Sequence, residues 1–503
     1  MKKIKLPSSY FNYISFMGTI ILIIAWVAFV FLIFFEILSD SRSSMYLGMF
    51  TYLVTPGFIV LGFFLIAIGI FVRKRKLKKG TKDSEPKSMI INLNDKKTRK
   101  TLLVFISISI FFILSTIVGT YKGYEYTESV EFCGKLCHKV MNPEYVAYQN
   151  SPHARVKCAE CHIGEGVDWF VKAKLSGLRQ VYHYMNNSYH RPIETPIENL
   201  RPARETCEKC HWPQKFYTNG LRKEKYYLAD SANTEWNVIL NMKIGSENQA
   251  KGLSEGIHWH INNDFQIDYK ANAKRDTVYW VKIIDKKTGV ETVYKDDEVE
   301  AKSGKIDKIE KRSMDCMDCH NRPAHEFKSP SQYINNLFAS ENKLTSIPWL
   351  KSAAMAALSV PYTTTDSALT GIKDKIENYY KVQYPDLYKK YGKDILSSIN
   401  KIENEFSSNT FPEMKANYSV YPRHIGHLET NGCFRCHNNR FKSPKGKVIS
   451  KDCNLCHTIV GQGKSDSLKY VGINGALDFI HPVDIGNSWK ESNCVDCHLY
   501  LYR

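Results

Sequence analysis

No cysteine is left over in this sequence of 503 residues: all 14 fall into pairs, and a histidine follows the second member of every pair. A disulfide framework has no use for that histidine, and a zinc ribbon does not need one after every pair, so both readings are set aside. Nucleic-acid binding finds no support either. The net charge is +18, but no helix-turn-helix or RNA-binding signature goes with it. No small-residue cleavage site follows the first apolar run, which is also too long for a cleavable leader. It is expected to stay as an uncleaved anchor behind the basic start Met1-Lys2-Lys3-Ile4-Lys5. Nor is there a fixed repeat unit, since the last three cysteine pairs lie about 20 and then about 40 residues apart.

What is present is C-x-x-C-H, the pattern by which c-type haem is attached: two thiols form thioethers to the vinyl groups and the histidine binds iron. It occurs at Cys158-Cys161-His162, Cys207-Cys210-His211, Cys316-Cys319-His320, Cys433-Cys436-His437, Cys453-Cys456-His457 and Cys494-Cys497-His498. An opening copy, Cys133-Cys137-His138, is one residue longer. With 14 Cys and 16 His placed at random, about 0.01 matches would be expected. The chain therefore reads as a multihaem c-type cytochrome with seven covalently bound haem c groups. Each porphyrin is a large apolar plate, so irregular backbone wrapped on haem is expected around the motifs. The propionates offset part of the basic excess.

Three apolar runs come first, over roughly residues 13–38, 45–72 and 101–118, each long enough to span or nearly span a bilayer. Between the second and third, residues 73–100 carry twelve Lys or Arg against Asp83, Glu85 and Asp95. The positive-inside rule puts that loop in the cytoplasm and the long carboxy-terminal part outside. Haem is attached to such motifs outside the bacterial cytoplasmic membrane, so the two lines agree on an inner-membrane protein with a periplasmic haem domain.

The expected organisation follows. Residues 1–42 and 43–75 hold the first two transmembrane helices, 76–100 the basic loop and 101–120 the third helix. Residues 121–220 form a haem domain with the first three motifs, with a helix over 169–184. Residues 221–311 lack a motif and alternate like strands, with Lys287-Thr288-Gly289 as a hairpin turn, so a small β insertion is expected. Residues 312–430 carry the fourth motif and a helical region, with Pro385 opening a helix. Residues 431–503 hold the last three motifs. The fold class is a membrane-anchored multihaem cytochrome, mainly α and irregular outside the membrane.

Each motif histidine is a proximal ligand. Bis-His ligation would give low-spin iron suited to electron transfer, so the other histidines are candidates for the far side of the iron. His153, His325, His424, His427 and His481 lie in short loops next to motifs. His258 and His260 flank Trp259; on a strand they would share a face, and His260 is preferred with His258 behind it. His183 and His190 are left for quinol contact or structure. The opening haem differs: Met141 lies three residues past His138, so a thioether ligand or a partly open site is expected there.

An anchor, a first motif with a nearby Met, then SPHARVKCAECH at 151–162 and a Lys-bearing helix before the third motif resemble the NapC/NirT family of quinol dehydrogenases. Three spans and seven motifs resemble its larger, ImcH-type inner-membrane members, as do GIHWHI at 256–261, HIGHLETNGCFRCH at 424–437 and FIHPVDIG at 479–486. The resemblance implies a quinol site built from a Lys and an acidic residue near the first haem. Lys174 or Lys172 fits the Lys. The acidic position falls near Gln180, with Asp168 and Glu165 in the same stretch. Lys174, Asp168 and His183 are the candidates to handle the quinol proton. The partners implied are menaquinol in the membrane and a periplasmic cytochrome or reductase as acceptor, with a homo-oligomer or a larger respiratory complex open. A passive wire fed by another quinol dehydrogenase is the second reading. A terminal nitrite or hydroxylamine reductase is a third, and the absence of C-x-x-C-K speaks against it.

Overall fold

The computed structural model describes residues 10, 12–38, 54–78, 94–136, 138–163, 167–195, 202–213, 216, 218–246, 253, 255–296, 298 and 306–499. The start of the second apolar run and most of the basic loop lie outside these residues. The chain divides into two compact units, residues 1–133 with 158–179, and residues 134–157 with 180–503.

The first unit is built on helices α1 (Tyr13–Leu38), α2 (Thr55–Lys78) and α3 (Lys96–Thr127). The stretches Tyr13–Leu32 and Thr55–Lys76 are long and apolar enough to cross a membrane. α1 and α2 pack through glycine. A methyl group on Gly18 would lie 2.7 Å from the Gly62 carbonyl oxygen, and one on Gly62 would lie 2.9 Å from that of Gly18. Lipid gives no hydrophobic push between helices, so close backbone approach at small residues does the holding. Ser15 Oγ adds a bond to the Ile66 carbonyl at 3.2 Å. Trp26, Val27, Val30 and Phe31 are left exposed on the outside of α1, as suits a lipid solvent. α3 covers the third apolar run. Helix α4 (Val167–Met185) is the Lys-bearing helix expected before the third motif.

The second unit has one sizeable side-chain core. Helices α5 (Pro330–Ser340), α6 (Leu350–Leu358), α7 (Thr365–Asn378) and α8 (Pro385–Asn409) bury Ile334, Phe338, Leu350, Ile372, Ile376, Ile395 and Ile399 completely or nearly so. Their ends are set by sequence. Ser329 caps α5 by accepting from the Gln332 N–H, Thr364 and Ser367 form a capping box on α7, and Pro330 and Pro385 open their helices.

Two four-stranded sheets complete it. Strands β1 (Asn219–Tyr227), β2 (Glu235–Lys243), β7 (His457–Lys464) and β8 (Lys469–Tyr470) form one, in that order. The other runs β5 (Glu291–Lys295), β4 (Val278–Asp285), β3 (Phe265–Ala271), β6 (Arg312–Ser313). Lys287-Thr288-Gly289 does turn the chain between β4 and β5, with Gly289 at φ +71°. The strands of 221–311 are thus shared between sheets, and one sheet takes its remaining strands from the last motif cluster. His457, a motif histidine, starts β7 opposite Met242. β1 is locked to the bundle by Asn335, which accepts from the Tyr227 N–H at 3.1 Å and from the buried Lys351 Nζ at 2.7 Å.

Candidate functional site

Among the described residues, five motif histidines face a second histidine ring. The centroids are 6.0 Å apart for His153 and His211, 6.4 Å for His258 and His320, and 5.8 Å for His260 and His437. They are 6.1 Å apart for His427 and His457 and again for His481 and His498. Two metal–nitrogen bonds of about 2 Å, each with about 1 Å from nitrogen to ring centre, call for about 6 Å. The spacing fits an iron between each pair. The residues present therefore fit haem at these motifs.

The protonation of these rings is fixed locally. The Nδ1 atoms of His153, His258 and His260 face the backbone carbonyls of Pro323, Ile244 and Ile257 at 3.0, 3.0 and 2.7 Å. On the motif side, His437 Nδ1 faces the Ser450 carbonyl at 2.9 Å. A carbonyl only accepts, so Nδ1 carries the proton and Nε2 is left as the ligating atom. Burial lowers the pKa of His258, His260, His320, His437 and His498, which keeps the imidazoles neutral as ligands must be. His427 and His457 are lowered by the same cause, His457 to about 4. Phe216 stacks on His258 and Phe434 on His427, at 4.5 and 4.6 Å between centroids, which steadies both ring planes.

His258 and His260 lie on a 3₁₀ turn, Ile257–Ile261, not on a strand. With three residues per turn, side chains two apart diverge. One turn thereby sends rings to the fourth and the fifth motif at once, a split that strand geometry would not allow.

The attachment cysteines run in succession. In the first unit the Cys133 and Cys158 thiols are hydrogen-bonded, joining the opening motif to the second. In the second unit Cys207 bonds Cys316, joining the third to the fourth. Cys433 and Cys436 lie close enough to Cys319 to act on it electrostatically, and Cys433 acts likewise on Cys456. Cys494 is raised by burial, with Cys453 among its neighbours. The third to seventh motifs are thus neighbours in chain order.

Other expected site residues are placed as follows. His325 is oriented by Glu144, whose backbone carbonyl lies 3.0 Å from Nδ1, and Arg322 pairs with the Glu144 side-chain carboxylate at 3.1 Å. His424 is buried beside the Asp318 carbonyl at 3.2 Å and the Arg435 guanidinium at 3.1 Å. Burial and then Arg435 pull its pKa down to about 4. Met141 is half-buried on the helix His138–Gln149. Cys137, Glu165 and the side chains of His138 and Asp168 lie outside the described residues. On α4, Lys174 Nζ donates to Thr127 Oγ1, on the last residue of α3, at 3.1 Å. Its charge also acts on the Cys133 thiol. Lys172 lies over the Trp169 ring at 5.1 Å, Gln180 is exposed, and His183 Nδ1 meets Ser188 Oγ at 2.9 Å.

One network escaped the sequence reading. Arg435 and Asp318 occupy the inner positions of the fifth and fourth motifs. Arg435 donates to the Asp318 carbonyl at 2.7 Å, while the Asp318 carboxylate meets the Tyr269 hydroxyl and, at 3.3 Å, Arg275. The only sequence signal is a charged residue inside each motif.

Comparison with known proteins agrees with this chemistry. The profile of the NapC/NirT cytochrome c family, N-terminal region, matches residues 95–196. Cytochrome c-type protein ImcH of Geobacter sulfurreducens is 39% identical over 488 residues, covering 97% of this chain and 95% of that protein. The chain belongs to the NapC/NirT cytochrome c family. It is a multihaem c-type cytochrome of electron transport, with covalently bound haem and apolar helices suited to membrane anchoring. Cytochrome c-type protein TorC of Escherichia coli K12 is 24% identical over 208 residues, 37% of this chain and 51% of that protein. Cytochrome c-type protein NrfH of Wolinella succinogenes is 28% identical over 120 residues, 22% of this chain and 67% of that protein. No solved structure matches this cytochrome.

Proposed function

We propose that this cytochrome is a seven-haem quinol dehydrogenase that oxidises menaquinol at the outer face of the bacterial cytoplasmic membrane and delivers electrons to a periplasmic cytochrome or reductase. The observation that carries the reading is the set of five histidine pairs at iron-bridging distance, on motifs that neighbour one another in chain order. Haem iron held there supplies reversible one-electron chemistry at closed, low-spin sites.

The residues divide the work. α1, α2 and α3 cross the membrane, with the amino terminus and the basic loop of residues 76–100 inside and the long part after α3 outside. His153, His258, His260, His427 and His481 are the distal ligands of the third to seventh motifs. Met141 is assigned to the opening motif, and His325 stays a distal-ligand candidate. His424 stays a candidate as well, since its contacts to Asp318 and Arg435 are made through Nδ1 and leave Nε2 as the atom that would ligate.

Quinol oxidation releases two protons with two electrons. Lys174 sits at the end of the third apolar helix and beside an attachment cysteine of the opening motif. Its ammonium donates a hydrogen bond to a quinol oxygen and stabilises that oxygen as its proton leaves. Asp168 accepts the proton, with His183, Lys172 and Gln180 as the other candidates on α4.

The test is reduction of the full-length protein in membranes by a menaquinol analogue. The haem bands should reduce without another dehydrogenase. A protein with intact haem spectra that the quinol fails to reduce overturns the reading and favours a passive wire.

A further inference from the structure

The surface around the last motif is charged against the trend of the chain. Residues 478–498 hold Asp478, Asp484, Glu491 and Asp496 against Lys490, in a protein whose net charge is +18. All four carboxylate residues are exposed. The segment is one folded patch. Phe479 packs on Trp489 at 5.5 Å and on His481 at 6.3 Å, and His481 faces His498 at 6.1 Å. Among the carboxylates, Ile480, Val483 and Ile485 are 42%, 53% and 38% exposed. Cys497, one of the two attachment residues of the last motif, is exposed as well.

The neighbouring motif has the opposite character. Residues 435–451 carry Arg435, Arg440, Lys442, Lys445, Lys447 and Lys451 and no acidic residue. Lys442, Lys445 and Lys447 are exposed on a hairpin that turns at Gly446, φ +77°. Its return arm gives the Ser450 carbonyl to His437.

We propose that the patch of residues 478–498 docks a basic electron carrier, a soluble cytochrome with lysines around its exposed haem edge. The argument is charge complementarity combined with position. An apolar centre within a charged rim is the usual anatomy of a transient interface. Carboxylates attract a lysine ring from a distance, and the patch lies at the end of the succession of attachment sites. The basic hairpin repels the same carrier and keeps it from the fifth motif. This deepens the proposed function by naming the acceptor class, and rests on that reading only for the direction of electron flow.

The experiment measures the dissociation constant of the full-length, haem-loaded, oxidised protein for a lysine-rich monohaem cytochrome c, as a function of salt. The same probe with acetylated lysines is the control. Asp484→Lys/Glu491→Lys is expected to weaken binding about tenfold or more and to flatten its salt dependence. Asp484 also accepts from the Gly486 N–H in its own turn at 3.0 Å, so Asp478→Lys/Glu491→Lys is measured beside it. Lys445→Glu/Lys447→Glu should leave binding unchanged or tighter, and acetylation should abolish it. The proposal is overturned if the basic probe does not bind, or binds both patch variants as well as the parent protein. It is also overturned if acetylation has no effect, or if the hairpin variant is the one that loses binding. No quinol is present, so failure here leaves quinol oxidation standing, and failure of quinol reduction leaves this result standing.

Discussion

His258 lies parallel to His320, at an interplanar angle of 1°, while His260, two residues on, stands at 82° to His437. One 3₁₀ turn thus serves two motifs with two orientations. Replacing either histidine by leucine should open one iron and leave the other closed. His258→Leu and His260→Leu are each expected to convert one haem from low to high spin with no change in covalent haem content. Near-infrared magnetic circular dichroism counts the loss, and the double variant should lose two.

The ring angles also order the haems spectroscopically. The angle between axial imidazole planes controls the splitting of the iron orbitals that share the unpaired electron. His258 with His320 and His427 with His457, at 1° and 18°, should give ordinary rhombic low-spin signals in electron paramagnetic resonance. His260 with His437 and His153 with His211, at 82° and 67°, should give the highly anisotropic type. His427→Leu should remove intensity from the first class and His260→Leu from the second.

Why these pairings were hidden in the sequence is a matter of range. The attachment motifs are local, five residues each and six in the opening copy, so they could be read directly. Helices also announced themselves through local signals: Pro385 opens α8, and apolar spacing marked α4. Strand pairing was harder. β2 reads as a strand from Val238-Ile239-Leu240, but its partner β7 begins at His457, and nothing local says so. The same holds for His260 and His437. The turn at Ile257–Ile261 mimics a strand in sequence, because Ile257, Trp259 and Ile261 alternate with polar residues, while the Gly256 backbone at φ +82° starts a 3₁₀ turn. The buried Asp318 and the half-buried Arg435 were invisible because charged side chains are ordinarily read as solvated.

His424 is the acid-sensitive point of that network. Its folded pKa is depressed to about 4, against about 6.5 for a free histidine. The full contribution of neutral His424 is present above about pH 6.5. As pH falls below that, the unfolded chain takes up a proton that the folded one refuses, and stability declines until about pH 4, where the folded form is protonated too. The loss is on the order of 3 kcal/mol. His424→Gln keeps a polar side chain without the titration, so its stability should fall less over the same interval. Denaturant unfolding at pH 7 and pH 5, followed by tryptophan fluorescence of the haem-loaded protein, measures the difference. A parent and variant that lose stability equally would remove His424 from the account.

Lys174 is where the quinol chemistry is most exposed to test. Its amine is fixed on Thr127 at 3.1 Å, whereas Lys172 lies over the Trp169 ring. The two lysines are two residues apart on one helix, so they point to different sides. If Lys174 stabilises the departing proton's oxygen, Lys174→Met should slow quinol-driven haem reduction by about a hundredfold, the lower end of what positioned acid–base groups contribute. Lys174→Arg should recover part of that rate, because a cation that donates hydrogen bonds is retained. Dithionite reduces the haems from solution without this side chain, so the dithionite-reduced spectrum should match that of the parent protein in both variants. Lys172→Met should stay within about threefold of the parent rate, since a lysine lying on an indole supplies packing rather than a charge at the reacting oxygen. A Lys174→Met protein that turns over quinol at the parent rate would move the proton chemistry to Asp168 or His183. Asp168→Asn and His183→Gln would then show which of the two carries it.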